Sequence, residues 1–282
     1  MIVFDSGDYK KIIPIVRSAD INTMFALSVL ETKVKGKVFV DQKASPTSFY
    51  IHHPYGMALL CGETNNEDFY GRLTAYMLNL EKTRDKIEWL QVYPVSLYSK
   101  VEDILGANLM KKSPDEPYEG SSVWEADRKV LEYQRINFVF NKEKYLFFIR
   151  NRQHHDYKTV ITSEALFYQL DGSVVPKLFW NDFSDFKKNG VGFTLLKHGV
   201  PISTAFSSFT IDNRLEIGIE TSKDSRGSGF ASIVCAKLMD YCLVNEYEPV
   251  WSCNSGNIGS RKLANKLGFE ELIKTPYYRL PK

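Results

Sequence analysis

Cysteine is scarce in this chain, and what there is suits neither cross-linking nor metal binding. Cys61, Cys235, Cys242 and Cys253 are spread over 282 residues with no C-x-x-C pair and no histidine at zinc-site spacing. A disulfide scaffold and a metal site are therefore not expected. Cys235 and Cys242 fall on the apolar face of one expected helix, as buried thiols do. This usage suits a reducing, cytoplasmic compartment. No apolar run approaches the roughly 20 residues a membrane helix needs. Met1-Ile2-Val3-Phe4-Asp5 lacks the basic and apolar blocks of a secretion signal. An excess of one charge is also missing: 36 Lys and Arg stand against 34 Asp and Glu, a formal net charge of +2. No strong field attracts nucleic acid or an anionic membrane. Two phosphate-binding signatures are absent as well. No Gly-Lys-Ser/Thr closes a Walker loop, and no G-x-G-x-x-G opens a dinucleotide fold.

What is present is an ordinary globular composition, 44% hydrophobic, in a chain long enough for two domains. One segment carries more information than the rest. Leu215 to Thr221 reads as a strand and a helix-like run extends to about Val244, with Arg226-Gly227-Ser228-Gly229-Phe230-Ala231 between them. On the helix, Ala231, Val234, Cys235, Leu238, Met239 and Cys242 recur at helical spacing, one face for a sheet. A glycine-rich turn between strand and helix leaves backbone N–H groups converging on one point, with the positive end of the helix dipole behind them. Gly227 and Gly229 let a ligand approach the backbone. This is a pyrophosphate site in outline.

The segments that follow narrow the reading. Pro249-Val250-Trp251-Ser252-Cys253-Asn254 reads as a buried strand, and Asn257 begins a helix that ends at Gly268-Phe269. Loop, helix, strand, Asn-helix and Gly-Phe in this order resemble the GNAT N-acetyltransferases. The Ile-Gly-Ile-Glu-Thr strand, the Arg-Gly-x-Gly-x-Ala loop and the Pro-x-Trp-x-Cys-Asn strand are similar to the zwittermicin A resistance-type GNAT acetyltransferases. The resemblance spans the chain, but its motifs all lie between Leu215 and Phe269. It implies an α/β (α+β) GNAT fold, a mixed and strongly twisted sheet flanked by helices. It also implies acetyl-CoA as donor and a primary amine of a small molecule as acceptor. The cofactor site it implies comprises Ile219, Thr221, Arg226, Gly227, Ser228, Gly229, Phe230, Ala231, Asn257 and Ser260, with no metal. Asn257 is equally suited to cap its helix, Arg261 to reach a CoA phosphate or to sit in solvent, and Trp251 to fill the core or line an acceptor tunnel.

An internal echo points to a tandem. Strands at 37–40 and 56–60, a helix over 69–80, a strand over 88–94 and a helix from Ser96 to Leu105 before Gly106 repeat the C-terminal order, at an offset of about 160 residues. The N-terminal copy has Cys61-Gly62-Glu63-Thr64-Asn65-Asn66 in place of the loop. It reads as a degenerate GNAT-like domain over 1–141, with the CoA-binding domain over 142–282. Residues 136–140 read as a strand. A turn at Asn141-Lys142 joins it to the apolar run Tyr145 to Ile149, as a hairpin or as the join between halves. Beyond it come a strand at 157–161, helices at 163–170 and 181–188, and strands at 192–196 and 202–209 about a His198-Gly199 turn. Lys111 to Gly120 reads as a surface loop, and His52-His53 and His154-His155 as polar loop segments.

Acetyl transfer needs a neutral amine, a donor for the thioester oxygen and a proton for the leaving thiolate. Glu216, on the strand that enters the loop, is the candidate base. Glu220 shares its face, four residues on. A solvated strand face is the plain alternative for both. The resemblance implies a tyrosine acid in the Asn-helix, but that position is Ala264. Tyr277 and Tyr278 on the last strand are weaker substitutes. The missing tyrosine keeps a second reading open, a CoA-binding sensor or scaffold without catalysis. Oligomeric state and acceptor identity are not legible.

Overall fold

The computed structural model describes residues 1–113, 129–152 and 157–282. Ser113 is the last described residue of the expected surface loop, and His154-His155 lie outside the described residues. The chain opens with β1 (Ile2–Val3), α1 (Ile13–Arg17) and α2 (Met24–Leu30). Then follow β2 (Lys37–Val40), β3 (Ser48–His53), β4 (Met57–Gly62), α3 (Glu67–Met77), β5 (Glu88–Tyr93), α4 (Leu97–Leu105), β6 (Leu109–Lys111) and β7 (Val130–Phe140). Next are α5 (Lys142–Asn151), β8 (Lys158–Ile161), α6 (Glu164–Gln169), α7 (Phe183–Asn189), β9 (Gly192–Lys197), β10 (Val200–Ile211) and β11 (Arg214–Thr221). The last elements are α8 (Phe230–Val244), β12 (Glu248–Val250), β13 (Ser252–Asn254), α9 (Ile258–Lys266) and β14 (Phe269–Leu280).

The echo is an echo of topology. β2-β3-β4-α3-β5-α4 and β9-β10-β11-α8-β12-α9 repeat one order, apart from β13, which lies between β12 and α9 and pairs in the other sheet. In each, three antiparallel strands end in one that pairs in parallel with the strand after the helix. Two compact units result: Met1–Asn137 with Ser252–Ile258 and Ile273–Lys282, and Phe138–Trp251 with Gly259–Leu272. The expected halves, 1–141 and 142–282, follow chain order. The units follow hydrogen-bond ladders instead. Ser252 pairs with Asn137, and Tyr277 with Gln91, which places β13 and the end of β14 in the first unit's sheet. That sheet runs β1-β2-β3-β4-β5-β14-β7-β13 with β6 beside β7; the second unit's runs β12-β11-β10-β9-β8.

The apolar run after Asn141 corrects the hairpin expectation, because it is helical. The Asn141 side chain accepts from Lys144 N at 3.1 Å and caps α5. The run places Tyr145, not a strand, against α8: its hydroxyl donates to Asp240 at 2.6 Å and lies 2.9 Å from the Ala236 carbonyl. This explains why α8 is buried on more than one face. Ala236 and Ser232 are buried along with the expected Val234, Cys235, Leu238, Met239 and Cys242. Gly268 makes the approach of α5 possible. Its φ is +87°, and a Cβ there would lie 2.7 Å from Tyr145 N.

His52-His53 is a second correction: the pair ends β3 and is not a loop. Alternation along the strand sends His53 inward, where it is fully buried. Its Nδ1 accepts from Tyr55 N at 3.0 Å. Burial, with His52 beside it, pushes its pKa down to about 3. A histidine kept neutral by folding stabilises the fold fully above its unfolded value near 6.5. That contribution is lost as pH falls from there towards 3. His53→Asn, which keeps an acceptor in place, should flatten this dependence. Between pH 7 and pH 5 the wild type should lose about 2 kcal/mol more unfolding free energy in urea than the variant.

Candidate functional site

The second unit leaves a set of backbone donors open at the head of α8. Gly227 and Gly229 have φ of +78° and +82°, a region that side chains other than glycine's rarely occupy. Gly229 is the N-cap of α8 and provides no capping side chain. Among the described residues nothing accepts from the N–H groups of Gly227, Ser228 or Gly229. A Cβ at either glycine would meet no protein atom within 4 Å, so the space above the loop is open. The first amides of a 15-residue helix therefore face that space with the helix dipole behind them.

The first unit handles the equivalent position in the opposite way. Asn66 caps α3 by accepting from Phe69 N at 3.1 Å, and its Nδ2 donates to the Asp41 carbonyl. A Cβ on Gly62 would strike the Thr47 carbonyl oxygen at 2.1 Å. Cys61 is buried, which pushes its thiol up to about 12. A side chain takes one of the first donors, and the space beside Gly62 is filled.

Glu220 and Arg226 shape the C-terminal loop. Glu220 Oε2 accepts from Ser173 N at 3.0 Å and Val174 N at 3.1 Å, and its Oε1 pairs with Arg226 at 3.1 Å. Arg226 Nε also donates to the Thr221 carbonyl at 3.2 Å. Gly172 permits this arrangement, because a Cβ there would lie 2.7 Å from the Glu220 carboxylate. The structure thus places Glu220 as the tie between strand end, glycine loop and the 172–174 turn. Glu216 is placed differently. It is buried on β11 opposite Val250, the last residue of the three-pair parallel ladder to β12. Beyond it, Ile217 to Thr221 have no strand on that edge among the described residues. Five residues at about 3.4 Å each put Glu216 roughly 17 Å from Thr221 along the strand.

The remaining expected residues divide by role. Ser260 Oγ accepts from Trp251 Nε1 at 3.1 Å, and Trp251 is buried core. Thr221 Oγ1 and Ser203 Oγ share a 2.8 Å hydrogen bond, and Ile219 is half-buried on the open edge. Phe230 is buried, Ala231 half-buried and Ser228 exposed; Asn257 is exposed just before α9. Arg261 pairs with Glu271 at 2.8 Å. Ala264 is fully buried on α9. Tyr277 stacks on Trp89 at 4.8 Å in the first unit's sheet, and Tyr278 belongs to that unit's core. Burial pushes the Tyr278 phenol well above its usual range. Among the described residues no cluster of three His, Cys, Asp or Glu could hold a metal ion, and no helix is long and apolar enough to cross a membrane.

One part of the site escaped sequence reasoning. A cavity of about 760 Å³ starts at Gly229 and Ser232 and is walled by Lys144, Phe148 and Arg152 of α5 and its end, and by Lys266 of α9. Lys266 Nζ lies 5.5 Å from the Phe148 ring centre and 3.4 Å from Ser232 Oγ. The signal was available: Lys144, Phe147, Phe148 and Asn151 recur at i, i+3, i+4, i+7 after a capping Asn141. Reading the run as a hairpin hid it.

Comparison with known proteins agrees with this geometry. The family model for GNAT acetyltransferases matches residues 17–278. An uncharacterised N-acetyltransferase of Bacillus subtilis (strain 168), YdfB, is 26% identical over 255 residues, 90% of this chain and 89% of that one. A GCN5-related N-acetyltransferase-like protein from Streptococcus suis 89/1591 superposes with a TM-score of 0.69 at 19% identity, over 98% of this chain and 99% of that one. A tandem GNAT protein from the clavulanic acid biosynthesis pathway gives 0.58 at 9% identity, over 99% and 97%. With an open glycine nest at the head of α8 and a family match over nearly its whole length, the chain belongs to the GNAT acetyltransferases, and it is an acetyltransferase with the GNAT fold.

Proposed function

We propose that the chain moves the acetyl group of acetyl-CoA to the primary amine of a small-molecule acceptor, with one CoA site per chain. Its motifs resemble those of the zwittermicin A resistance-type subgroup, and its buried free thiols suit the cytoplasm. The observation that carries the reading is the open nest: backbone donors at a helix N-terminus with no internal acceptor and free space above them. In this assignment Gly227 to Ala231 hold the pyrophosphate. The open edge of β11, with Ile219 and Thr221, holds the pantetheine arm. Asn257 and Ser260 lie along that arm. Lys144, Arg152 and Lys266, with the Phe148 ring, suit the nucleotide end, where cations meet phosphate and an aromatic face meets a base. The first unit, with its helix N-terminus already capped, carries no second site.

Acetyl-CoA supplies an activated acyl group whose carbonyl carbon accepts the amine nitrogen while the carbon–sulfur bond breaks. The chain must align the two and accept a proton. Glu216, at the fork where β11 and β12 part, is the base, directly or through one water. The roughly 17 Å of strand between it and Thr221 matches the order of length of an extended pantetheine arm. Glu220, assigned with it from sequence, keeps a positioning role here, because its carboxylate holds Arg226 and the 172–174 turn. With Ala264 in the tyrosine position, the proton for the thiolate comes from the attacking amine by way of Glu216 or from water.

Three results test this. Gly229→Val forces a branched side chain into a left-handed conformation and closes the space over the nest. CoA affinity should fall by at least about a hundredfold with the far-ultraviolet circular dichroism unchanged, and a folded variant with wild-type affinity would refute the assignment. Calorimetry of acetyl-CoA against the wild type should give one site per chain, and a second site within 1–141 would overturn the capped-helix argument. Glu216→Gln should reduce turnover by roughly 10²–10⁴ at neutral pH with CoA affinity nearly unchanged, and should recover in part as alkaline pH supplies more neutral amine. Near wild-type turnover across that range would leave Glu216 as a strand-face carboxylate.

A further inference from the structure

The cavity of about 760 Å³ beside Gly229 carries more positive charge than a pyrophosphate on the glycine loop would use, and its lining residues all belong to the second unit. Lys144, Phe148 and Arg152 recur at i, i+4 and i+8, so α5 and its C-cap present them along one face. α5 stands outside the repeated order β9-β10-β11-α8-β12-α9, so this wall is additional to the module that forms the loop. α9 provides Lys266. Its side chain is exposed but held: Nζ donates to Ser232 Oγ at 3.4 Å and lies 5.5 Å from the Phe148 ring centre. Ser232 Oγ itself donates to the Gly229 carbonyl at 2.7 Å. Ser232 lies three positions beyond Gly229, a rise of about 4.5 Å, so the Lys266 ammonium stands near the first turn, close to the open amides.

The charges on this wall are not balanced within the protein. Lys144 is paired with Glu270 at 2.6 Å. Among the described residues no carboxylate stands at ion-pair distance from Arg152 or Lys266. Glu143 is the one acid among the lining residues, in the first turn of α5. Nine positions along the helix, about 13 Å, separate it from Arg152, which leaves the end at Phe148 and Arg152 positive. Two cations and an aromatic face therefore remain once a diphosphate has taken the amides of the loop. In a CoA thioester the ribose joins the diphosphate to the base, and a phosphate on its C3′ oxygen stands between them. Lys266 stands in the same way between the amides and the Phe148 ring. A phosphate monoester carries about two negative charges at neutral pH, which the two remaining cations match. We propose that Arg152 and Lys266 bind the 3′-phosphate of the CoA ribose and make it a condition of binding. The donor class is then restricted to 3′-phosphorylated CoA thioesters, and dephospho-CoA, phosphopantetheine and pantetheine thioesters are refused. This rests on the acetyl-CoA reading, and the test separates the two.

The probes are CoA and dephospho-CoA, each titrated calorimetrically into the full chain. They share base, diphosphate and pantetheine arm, so the ratio of their affinities reads the 3′-phosphate alone. At low ionic strength CoA should bind at least about tenfold more tightly, as charge-assisted contacts to the phosphate require. The ratio should shrink as added salt screens the exposed lysine. Arg152→Gln and Lys266→Gln should each weaken CoA more than dephospho-CoA, and the double variant should bring the ratio to about one. Residues that only support the fold would weaken both ligands equally, and a ratio that survives both substitutions overturns the assignment. Lys266 is exposed, so Lys266→Gln decides if Arg152→Gln does not fold. Equal affinity of the wild type for the two ligands overturns the inference and leaves the acetyl-CoA reading standing. Binding of neither contradicts the acetyl-CoA reading itself, and the inference falls with it.

Discussion

The first amides of an α-helix must find acceptors, and the two units meet that requirement in different ways. At the head of α3 the acceptor is built in, as the Asn66 side chain takes the Phe69 N–H. At the head of α8 it is withheld. Gly229 offers no side chain, and Gly227 and Gly229 turn the backbone through a left-handed conformation that leaves the donors facing open space. A capping side chain contributes about 1 kcal/mol. α8 forgoes that contribution and keeps its first donors open, while α3, of the same topology, keeps the cap.

A helix with an uncapped end needs other support, and the surroundings provide it. α5 lies along the side of α8 away from the cysteine face, with Tyr145 bonded to Asp240 and close to the Ala236 carbonyl. Gly268 allows that approach, and its glycine character follows from α5 rather than from any ligand. On the strand side Glu220 ties Arg226 to Ser173 and Val174. The loop's conformation is thus set by contacts outside it, as a preorganised anion site requires. The same helix that supports α8 brings Lys144 and Phe148 to the cavity beside Gly229, so one element serves both packing and the cavity wall.

Much of this was legible in the sequence where local signals act alone. The strand before the loop, the glycines, α8, the helix closed by Gly268 and most of the repeated element order follow from periodicity and turn chemistry, whereas the run 249–254, expected as one strand, is broken at Trp251 into β12 and β13 of two different sheets. Three further things were not. α5 was hidden because an apolar run of five residues fits a strand or a helix equally well, and its cap at Asn141 was read as a turn. His53 was misplaced because a polar residue in a strand becomes a core residue only when the neighbouring strands are known. The return of Ser252–Ile258 and Ile273–Lys282 to the first unit was invisible because strand pairing across more than 100 residues leaves no local trace. Site roles behaved likewise. Glu216 and Glu220 look alike on one strand face, and only the tertiary partners distinguish the fork residue from the loop tie.

The account stands or falls on where acetyl-CoA meets backbone. An amide ¹H–¹⁵N spectrum of the full chain, recorded with and without acetyl-CoA, addresses this residue by residue. The account requires the largest shifts at Gly227 to Ala231, with those of Ile217 to Thr221 following and with Asn66 to Phe69 unmoved. Shifts of equal size at the head of α3, or none at Gly227 to Ala231 under saturating acetyl-CoA, would contradict it.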